Sequence, residues 1–183
     1  MATTRLMPIH VSTGKSVLHS LKARMDYYRN GDKTEEGKLL SGYECDPETA
    51  EEEFMLSKQE YHNSKWSIRK NEVIAYQIRQ SFKPGEITPE KAHKLGIQFA
   101  KEMWGDDYQI VITTHLNTNH VHNHFVVNSV SFTNGKKYNY SNSEMARLRS
   151  TNDLICEEHN ISHLEEKLTP RKHIDFNYYY YHS

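Results

Sequence analysis

The sequence predicts an α+β domain in which helices flank an antiparallel core sheet. Strand-like and helix-like segments follow one another in the order β-α-α-β-α-β-β-α, which is typical of that class. The chain has 183 residues, a length that suits one domain. We therefore expect residues 1–183 to form a single domain, with an irregular, aromatic-rich tail at 170–183, and we expect this domain to be the N-terminal part of a longer protein.

The first third of the chain predicts one strand and two helices. Residues 5–12 form a strand because four of them are apolar, namely Leu6, Met7, Ile9 and Val11. Residues 14–31 form a helix that ends at a glycine. Residues 46–63 form a second helix, with Asp46 as the N-cap, a proline at the first helical position and acids in the first turn.

An alternating strand and a capped helix come next. Residues 72–82 alternate between an apolar face, with Ile74, Tyr76, Ile78 and Phe82, and a solvent-facing one, with Ala75, Gln77, Arg79 and Ser81. Thr88 caps a third helix at 88–105, and Pro89 follows it. The remaining elements are two apolar strands and a last helix, at 108–116, 121–132 and 142–160.

Composition and charge exclude several classes of protein. The net charge of −1 excludes a uniformly basic nucleic-acid-binding coat, and no apolar run suggests a transmembrane helix or a signal peptide. The charge is uneven, since Glu44–Glu60 carries seven acids against one lysine, whereas residues 64–101 carry eight basic residues against three acids. One basic face is therefore possible, although charge alone favours the simpler interpretation of a solvated acidic helix beside an ordinary surface. Cys45 and Cys156 are far apart, which favours reduced thiols in a cytosolic protein.

Four histidines lie in the segment HLNTNHVHNHFVVN, at 115–128. Side chains alternate faces along a strand, so His120, His122 and His124 would share one face. His120 and His124 would lie roughly 13 Å apart, at about 3.3 Å per residue, which is too far to share one ion. A pair two residues apart can chelate, and a hairpin turn would bring His115 back beside such a pair.

Three imidazoles with open coordination positions are typical of a catalytic metal site, because structural zinc sites are usually closed by four ligands. The alternative is a histidine-rich surface hairpin that binds metal only by accident. The presence of four histidines within ten residues, next to two apolar strands, favours the metal site.

The segment from Thr114 to Asn128 resembles the three-histidine motif of conjugative relaxases in the HUH endonuclease superfamily. The blocks MDYYRNGDKTEEGKLLSGYEC, AEEEF, SFKPGEITPEKAHKLG, NGKKY and LRSTNDLICEEHNIS are similar to those of mobilisation-protein relaxases of Gram-positive plasmids and integrative elements, over nearly the whole chain. The resemblance implies a five-stranded antiparallel sheet flanked by helices. It also implies a divalent metal on His115, His122 and His124, and site- and strand-specific nicking of transfer-origin DNA.

The resemblance also bears on the metal and on two unusual positions. It implies Mg²⁺ or Mn²⁺, whereas imidazole ligands by themselves suit Zn²⁺, Ni²⁺ or Co²⁺, which a purified sample could carry. Asn117 stands where the family usually has Asp, and Asn30-Gly31 stands where it often has Asn-Pro. An Asp could orient a histidine and support its charge, whereas Asn offers only a neutral hydrogen bond.

Two neighbouring tyrosines match the segment that carries the nucleophile in such relaxases. At about 100° per residue, Tyr28 continues an apolar helical stripe, whereas Tyr27 lies off it; the other members of the stripe are Val17, Leu18, Leu21 and Met25. We therefore expect Tyr27 to attack the phosphodiester, with Tyr28 as the alternative nucleophile. A phenol titrates at about pH 10 and needs activation, for which His120, outside the chelating pair, is the candidate assisting group.

DNA binding requires cations for phosphates and aromatic rings for bases. The candidates lie on the alternating strand, in the loop after the histidine strand and near the other functional segments, and they are Arg5, Lys15, Lys33, Arg79, Ser81, Lys136, Lys137 and Tyr138. The resemblance implies single-stranded or hairpin transfer-origin DNA, relaxosome accessory proteins and a coupling ATPase as partners, no membrane, and a place in the bacterial cytoplasm.

Three other functions stay open at this point. A rolling-circle replication initiator could use the same fold, and cleavage at a replication origin instead of a transfer origin would identify it. A metallonuclease could activate water without forming a covalent link to DNA. A non-enzymatic DNA-binding module with a degenerate site is the third alternative, and Asn117 is its one indication.

Overall fold

The computed structural model describes residues 2–31, 34, 37–62, 71–116 and 120–163. Within these residues the protein folds into a five-stranded antiparallel sheet and four helices, which confirms the predicted α+β class. In chain order the elements are β1 (Thr3–His10), α1 (Val17–Arg29), β2 (Leu40–Tyr43), α2 (Ala50–His62), β3 (Val73–Ser81), α3 (Pro89–Trp104), β4 (Ile110–His115), β5 (His122–Asn128) and α4 (Asn142–Glu158). The predicted tail at 170–183 lies outside the described residues.

The strand order β1-β3-β5-β4-β2 places the histidine-bearing strand β5 at the centre of the sheet. β5 pairs with β3 on one side and with β4 on the other, both antiparallel. The edges are β1, which pairs with β3, and β2, which pairs with β4. The four described helices are too short or too polar to traverse a lipid bilayer.

The strand β2 has no counterpart in the elements read from residue patterns alone. It has only four residues, LSGY, too few to show the alternation that marks a strand. It forms because Leu40–Tyr43 pairs with the exposed edge of β4. Gly42 permits the tight turn that follows, since a Cβ at this position would lie 1.9 Å from the carbonyl oxygen of Cys45.

Two of the predicted helix starts are informative. Thr88 caps α3 as predicted, and its side chain accepts a hydrogen bond of 3.3 Å from the backbone N–H of Lys91. The second predicted start was wrong, because α2 begins at Ala50 and not at Asp46. The side chain of Asp46 instead accepts from the backbone N–H of Glu48 at 2.9 Å, within a turn that precedes the helix.

Helices cover both faces of the sheet. On one face α3 and α4 contribute to the larger apolar cluster, which includes Leu6, Ile78, Phe99, Phe125 and Leu148. On the other face α1 and α2 pack in a smaller cluster with Leu21, Phe54, Ile74, Val111 and Val126. The prediction of a solvent-facing side for β3 was therefore wrong for Ala75, Gln77 and Ser81, which are buried between neighbouring strands and helices. Arg79 alone on β3 is exposed.

One lysine of α2 is fully buried where β5 ends. The ammonium of Lys58 donates to the side-chain oxygens of Asn128 and Ser129, the latter at 3.1 Å. No carboxylate lies within salt-bridge distance of it among the described residues. Burial therefore lowers the pKa of Lys58 to about 7, against a weaker upward influence of Glu72.

We expect Lys58 to make the stability of the protein depend on pH near neutrality. An unfolded lysine titrates at about 10.4, so between about pH 7 and that value the unfolded chain binds one proton more than the folded chain. The free energy of unfolding should therefore rise with pH, by at most about 1.4 kcal/mol per pH unit. Urea titrations between about pH 7 and 8 should show this rise in the wild type and a flatter profile in Lys58→Met.

The control is Lys94→Met, which removes an exposed lysine of α3 and should keep the wild-type slope. The pH window ends near 8 because burial raises the pKa of Cys45 and Cys156 to about 12. An unfolded thiol titrates at about 8.5, so above that pH the two cysteines reverse the sign of the slope. Parallel profiles for the wild type and Lys58→Met would contradict the prediction.

Candidate metal centre and nucleic-acid surface

Three histidines converge where β4 ends and β5 begins. His115 and His122 are directly opposite each other in the β4–β5 ladder, and His124 lies two residues along on the same face of β5. One ligand-capable atom from each of the three lies within 4.8 Å of the others. The ring of His124 lies 4.6 Å from that of His115 and 4.9 Å from that of His122. The structure thus brings together the set that the sequence selected.

The three imidazoles are suited to hold one divalent ion. Two nitrogens bound to one ion at about 2.1 Å lie at most about 4.2 Å apart, so side-chain shifts of less than about 1 Å would complete the site. His115 donates its Nε2–H to the carbonyl oxygen of Tyr28 at 3.1 Å, and His122 donates its Nδ1–H to that of His120 at 3.2 Å. Such bonds fix the tautomer and the ring orientation of histidines that ligate a metal through the opposite nitrogen.

The protonation state of His122 also favours metal binding. Burial lowers the pKa of His122 to about 4, and the neighbouring charges of His115 and Arg79 act in the same direction. A metal ligand must be a neutral imidazole, and His122 is neutral at physiological pH without competition from a proton.

The two tyrosines at the end of α1 have opposite environments. Tyr28 is 1% exposed, and its ring lies 4.7 Å from that of His124 and 6.0 Å from that of His115. Tyr27 is 55% exposed, and its ring meets that of Tyr28 edge-on at 5.2 Å. The predicted buried stripe of α1 is thus confirmed, except that Leu18 is 39% exposed.

Burial changes the acidity of Tyr28. It raises the pKa of this phenol to about 12, although the adjacent Arg24 guanidinium acts in the opposite direction. A phenol with a raised pKa is harder to ionise and is a poorer nucleophile at neutral pH. Of the two tyrosines, Tyr27 is therefore the one that is accessible from solvent.

An ion pair attaches the tyrosine-bearing end of α1 to α2. Arg29 contacts the carboxylate of Glu51 at 2.5 Å, and Lys22 approaches the same carboxylate at 3.4 Å. Glu51 is buried, which would raise its pKa, but the hydrogen bonds and charge of Arg29 and Lys22 hold the pKa below its usual value. Part of the acidic run therefore serves to position the tyrosine-bearing helix α1, a role that the charge count did not reveal.

Two arginines extend the histidine face across the sheet. Arg79 of β3 is directly opposite His124 on one side and Arg5 of β1 on the other, and both guanidinium groups are exposed. Neither is within salt-bridge distance of a carboxylate among the described residues. Like charges opposite each other destabilise a sheet, so this arrangement indicates an anion-binding surface.

Arg24 is a third cation at this site that sequence reasoning missed. It is exposed, it lies one helical turn before Tyr28, and its charge acts on the Tyr28 hydroxyl. The sequence could have indicated this position, because Arg24 precedes Tyr27 by three residues and Tyr28 by four, and residues so spaced are neighbours on a helix surface. Ser81 lies on the same face opposite His122 but is buried, and Lys15 is exposed just before α1.

The predicted DNA-binding loop after β5 lies at the other end of the strand. Lys136 and Lys137 follow β5, whose seven residues span about 20 Å from His122 onward, at about 3.3 Å per residue. Lys137 forms a salt bridge of 2.6 Å with Glu72. Tyr138 is buried in the larger cluster and donates to Glu144 at 2.6 Å, so its prediction as a base-stacking residue was wrong.

Three predicted positions remain, namely His120, Lys33 and Asn117. The prediction that His120 shares a strand face with His122 and His124 was wrong, because His120 precedes the first residue of β5. It is half-buried, and its ring lies 6.0 Å from that of His122, beside the candidate metal centre. Lys33 and Asn117 lie outside the described residues.

Several known proteins are similar to this chain. The protein rlx of Staphylococcus aureus is 34% identical over 167 residues, which cover 91% of this chain and 44% of that protein. The group II intron-interrupted relaxase LtrB of Lactococcus lactis subsp. cremoris is 28% identical over 130 residues, 70% of this chain and 22% of LtrB. This chain thus spans less than half the length of these relatives.

Among solved structures, the fold is similar to that of the MobM relaxase domain bound to 26-nucleotide pMV158 oriT DNA. The TM-score is 0.64 at 16% identity, with 95% of this chain and 96% of that one covered. A manganese-bound structure of the same domain with oriT DNA at pH 6.8 matches equally well, with a TM-score of 0.64.

The family described as "Relaxase: MobA/VirD2-like, nuclease domain" matches residues 27–161, a stretch that begins at the exposed tyrosine and includes all three converging histidines. Because this match covers most of the chain, the protein belongs to the relaxase family, of which it carries a MobA/VirD2-like nuclease domain.

Proposed function

We propose that this protein nicks one strand of transfer-origin DNA by metal-assisted transesterification and remains attached to the 5′ end through Tyr27. The reaction would initiate conjugative transfer or mobilisation of a plasmid or integrative element. The observation that carries the proposal is the convergence of His115, His122 and His124 beside the tyrosine-bearing end of α1. The oriT-bound state of the MobM domain, which has the same fold, supports single-stranded or hairpin origin DNA as the substrate.

The three histidines are the proposed ligands of one divalent ion. The carbonyl bonds from His115 and His122 support this role, and so does the manganese-bound state of the MobM domain. Mg²⁺ or Mn²⁺ is the proposed physiological ion, while imidazole ligands would also accept Zn²⁺, Ni²⁺ or Co²⁺ in a purified sample. When bound, a divalent ion polarises the scissile phosphate and stabilises charge that develops on its oxygens.

Tyr27 is the proposed nucleophile. Its oxygen forms a bond to phosphorus, the bond from phosphorus to the 3′ oxygen breaks, and the released 3′ oxygen takes up a proton to become a hydroxyl. The phenolic proton passes to a neighbouring base, for which His120 is the candidate beside the histidine cluster. One phosphodiester is exchanged for another, so the step is reversible and the strand can be rejoined.

The proposed path of the DNA crosses the face that bears the histidines. Arg79 and Arg5 continue the row of His124 toward the β1 edge, and Arg24 lies beside the tyrosines. These cations would hold phosphates on either side of the scissile bond, with Lys15 before α1 as a further contact. Lys136 and Lys137 are left out of this surface because they follow the far end of β5.

The wider setting follows from the family. Relaxosome accessory proteins and a coupling ATPase are the proposed protein partners. The similar rlx and LtrB proteins are from bacteria, so the proposed place of action is the bacterial cytoplasm, where the element's DNA lies.

The nucleophile can be tested with two single-atom changes. Tyr27→Phe should abolish the covalent protein–DNA adduct yet leave oligonucleotide affinity within about twofold, because only a hydroxyl is lost. Tyr28→Phe, the matched control on the neighbouring ring, should still form the adduct. The measurement is a denaturing gel with 3′-labelled single strands that tile the transfer origin of the element carrying this gene. Adducts that persist in Tyr27→Phe and vanish in Tyr28→Phe would reverse the assignment.

The metal site can be tested by removing one ligand at a time. His115→Ala, His122→Ala and His124→Ala should each weaken Mn²⁺ binding by more than about a hundredfold, because a direct ligand contributes more than the groups around it, which contribute about tenfold to a hundredfold. The control is His10→Ala, which removes an exposed histidine of β1. Calorimetric titration of the metal-free proteins near neutral pH gives the affinities. An affinity for Mn²⁺ equal to that of the wild type in all three variants would contradict the metal assignment.

The DNA surface can be tested through salt dependence. Each phosphate neutralised on a single strand contributes about 0.7 to the slope of log affinity against log salt, so Arg5→Ala with Arg79→Ala should flatten the slope by about 1.4. Lys136→Ala with Lys137→Ala provides a control of equal charge and should leave the slope unchanged. Fluorescence anisotropy of a labelled origin strand measures the salt slope of each double variant. A flatter slope in the lysine variant and an unchanged slope in the arginine variant would place the binding surface at the far end of β5.

A further inference from the structure

A row of polar side chains crosses the sheet directly behind the histidines. Thr114 of β4, Asn123 of β5 and Gln80 of β3 are successive register partners. Each is adjacent in sequence to a residue of the histidine face, and side chains alternate along a strand. The row therefore points to the opposite face of the sheet, between it and the helices α3 and α4.

Asn123 is the centre of this row and its amide is fully hydrogen-bonded. Its Oδ1 accepts from the Thr114 hydroxyl at 2.6 Å. Its Nδ2 donates to the side-chain oxygen of Gln80 at 2.8 Å and to the backbone carbonyl of Ala92 in α3 at 2.7 Å. One side chain thus joins three strands and a helix behind the pair formed by His122 and His124.

The row continues at both ends. On one side the ring of His93 lies between the hydroxyls of Thr114 and Ser41, at 2.8 Å from each, and so reaches β2. On the other side Gln80 donates to the side-chain oxygen of Asn152 in α4 at 3.0 Å. The chain of hydrogen bonds therefore ties four strands of the sheet to α3 and α4.

The location of these groups is unusual for polar side chains. Thr114, Asn123 and Gln80 are completely buried, beside an apolar cluster that could have filled the same space. Replacing both partners of a buried hydrogen bond by apolar groups is often neutral for stability, so stability alone does not account for the row. Gly96 of α3 accommodates Asn123 closely, since a Cβ there would lie 2.7 Å from its Nδ2.

We propose that Asn123, together with Thr114 and Gln80, positions the two histidine-bearing strands relative to each other. Thr114 precedes His115, and Asn123 lies between His122 and His124, so the bond between their side chains fixes the register on which the convergence of the histidines depends. A slip of one residue would send the histidines to the opposite face. The inference rests on the proposed metal function and adds positioning residues to it.

The test compares two variants of Thr114 that differ in one polar atom, together with Asn123→Ala, which removes the central amide. Thr114→Val replaces the hydroxyl by a methyl group of similar size, whereas Thr114→Ser keeps the hydroxyl. We expect Thr114→Val and Asn123→Ala to weaken Mn²⁺ binding by about tenfold to a hundredfold, the range that outer groups around a metal site usually contribute. Thr114→Ser should bind Mn²⁺ within about threefold of the wild type. Adduct formation should recover in the weakened variants at saturating Mn²⁺.

The matched control is Asn128→Ala, at the other end of the same strand. Asn128 is equally buried and donates to Gln109 at 3.0 Å, so its loss should lower the melting temperature without changing the affinity for Mn²⁺. If Thr114→Val and Asn123→Ala also melt earlier but bind Mn²⁺ like the wild type, the row is merely structural and the proposal is overturned. Should Asn123→Ala fail to fold, the comparison of Mn²⁺ affinity between Thr114→Val and Thr114→Ser tests the proposal by itself. Absence of Mn²⁺ binding in the wild type would instead overturn the metal function itself.

Discussion

The antiparallel pairing of β4 with β5 is the interaction on which the candidate site depends. It sets His115 opposite His122, and the alternation of side chains adds His124 to the same face. The same register sets Thr114 opposite Asn123 on the other face, where the two side chains bond directly. One ladder of backbone hydrogen bonds therefore determines both the sheet face that bears the histidines, where the chemistry is proposed, and the polar row on the opposite face.

The second requirement is that the tyrosine-bearing helix meets this ladder at a fixed distance. The carbonyl of Tyr28 accepts a hydrogen bond from His115, and the Tyr28 ring packs on His124. From the far side, the buried carboxylate of Glu51 holds Arg29 at the end of α1. Removing one member of a buried ion pair leaves an uncompensated charge, so loss of Arg29 or of Glu51 would destabilise this attachment of α1 to α2.

The site departs from the rules that stabilise the rest of the sheet. Arg5 and Arg79 place like charges opposite each other, and Tyr27 exposes more than half of an aromatic side chain to solvent. Elsewhere both faces of the sheet are covered by apolar clusters. Local departures of this kind are expected at functional sites, where binding a ligand offsets the loss of stability. The proposed ligand, single-stranded DNA, is a polyanion and would complement these charges.

The sequence by itself determined the α+β class and the order of the longer elements, because periodicity and capping are local properties. Alternation placed His122 and His124 on one face but would have included His120, and the resemblance to relaxases selected His115, His122 and His124, which the structure brings together. It did not determine the four-residue strand β2, which forms only because β4 offers an unpaired edge. Nor did it reveal that β3 buries most of its side chains on both faces, with Arg79 as the exposed exception, or that Tyr138 lies in the core, because burial depends on which strands and helices become neighbours. Tertiary structure also decided which cations lie near the histidines, since Arg79 reaches His124 across a ladder whereas Lys136 is closer in sequence but follows the far end of the strand.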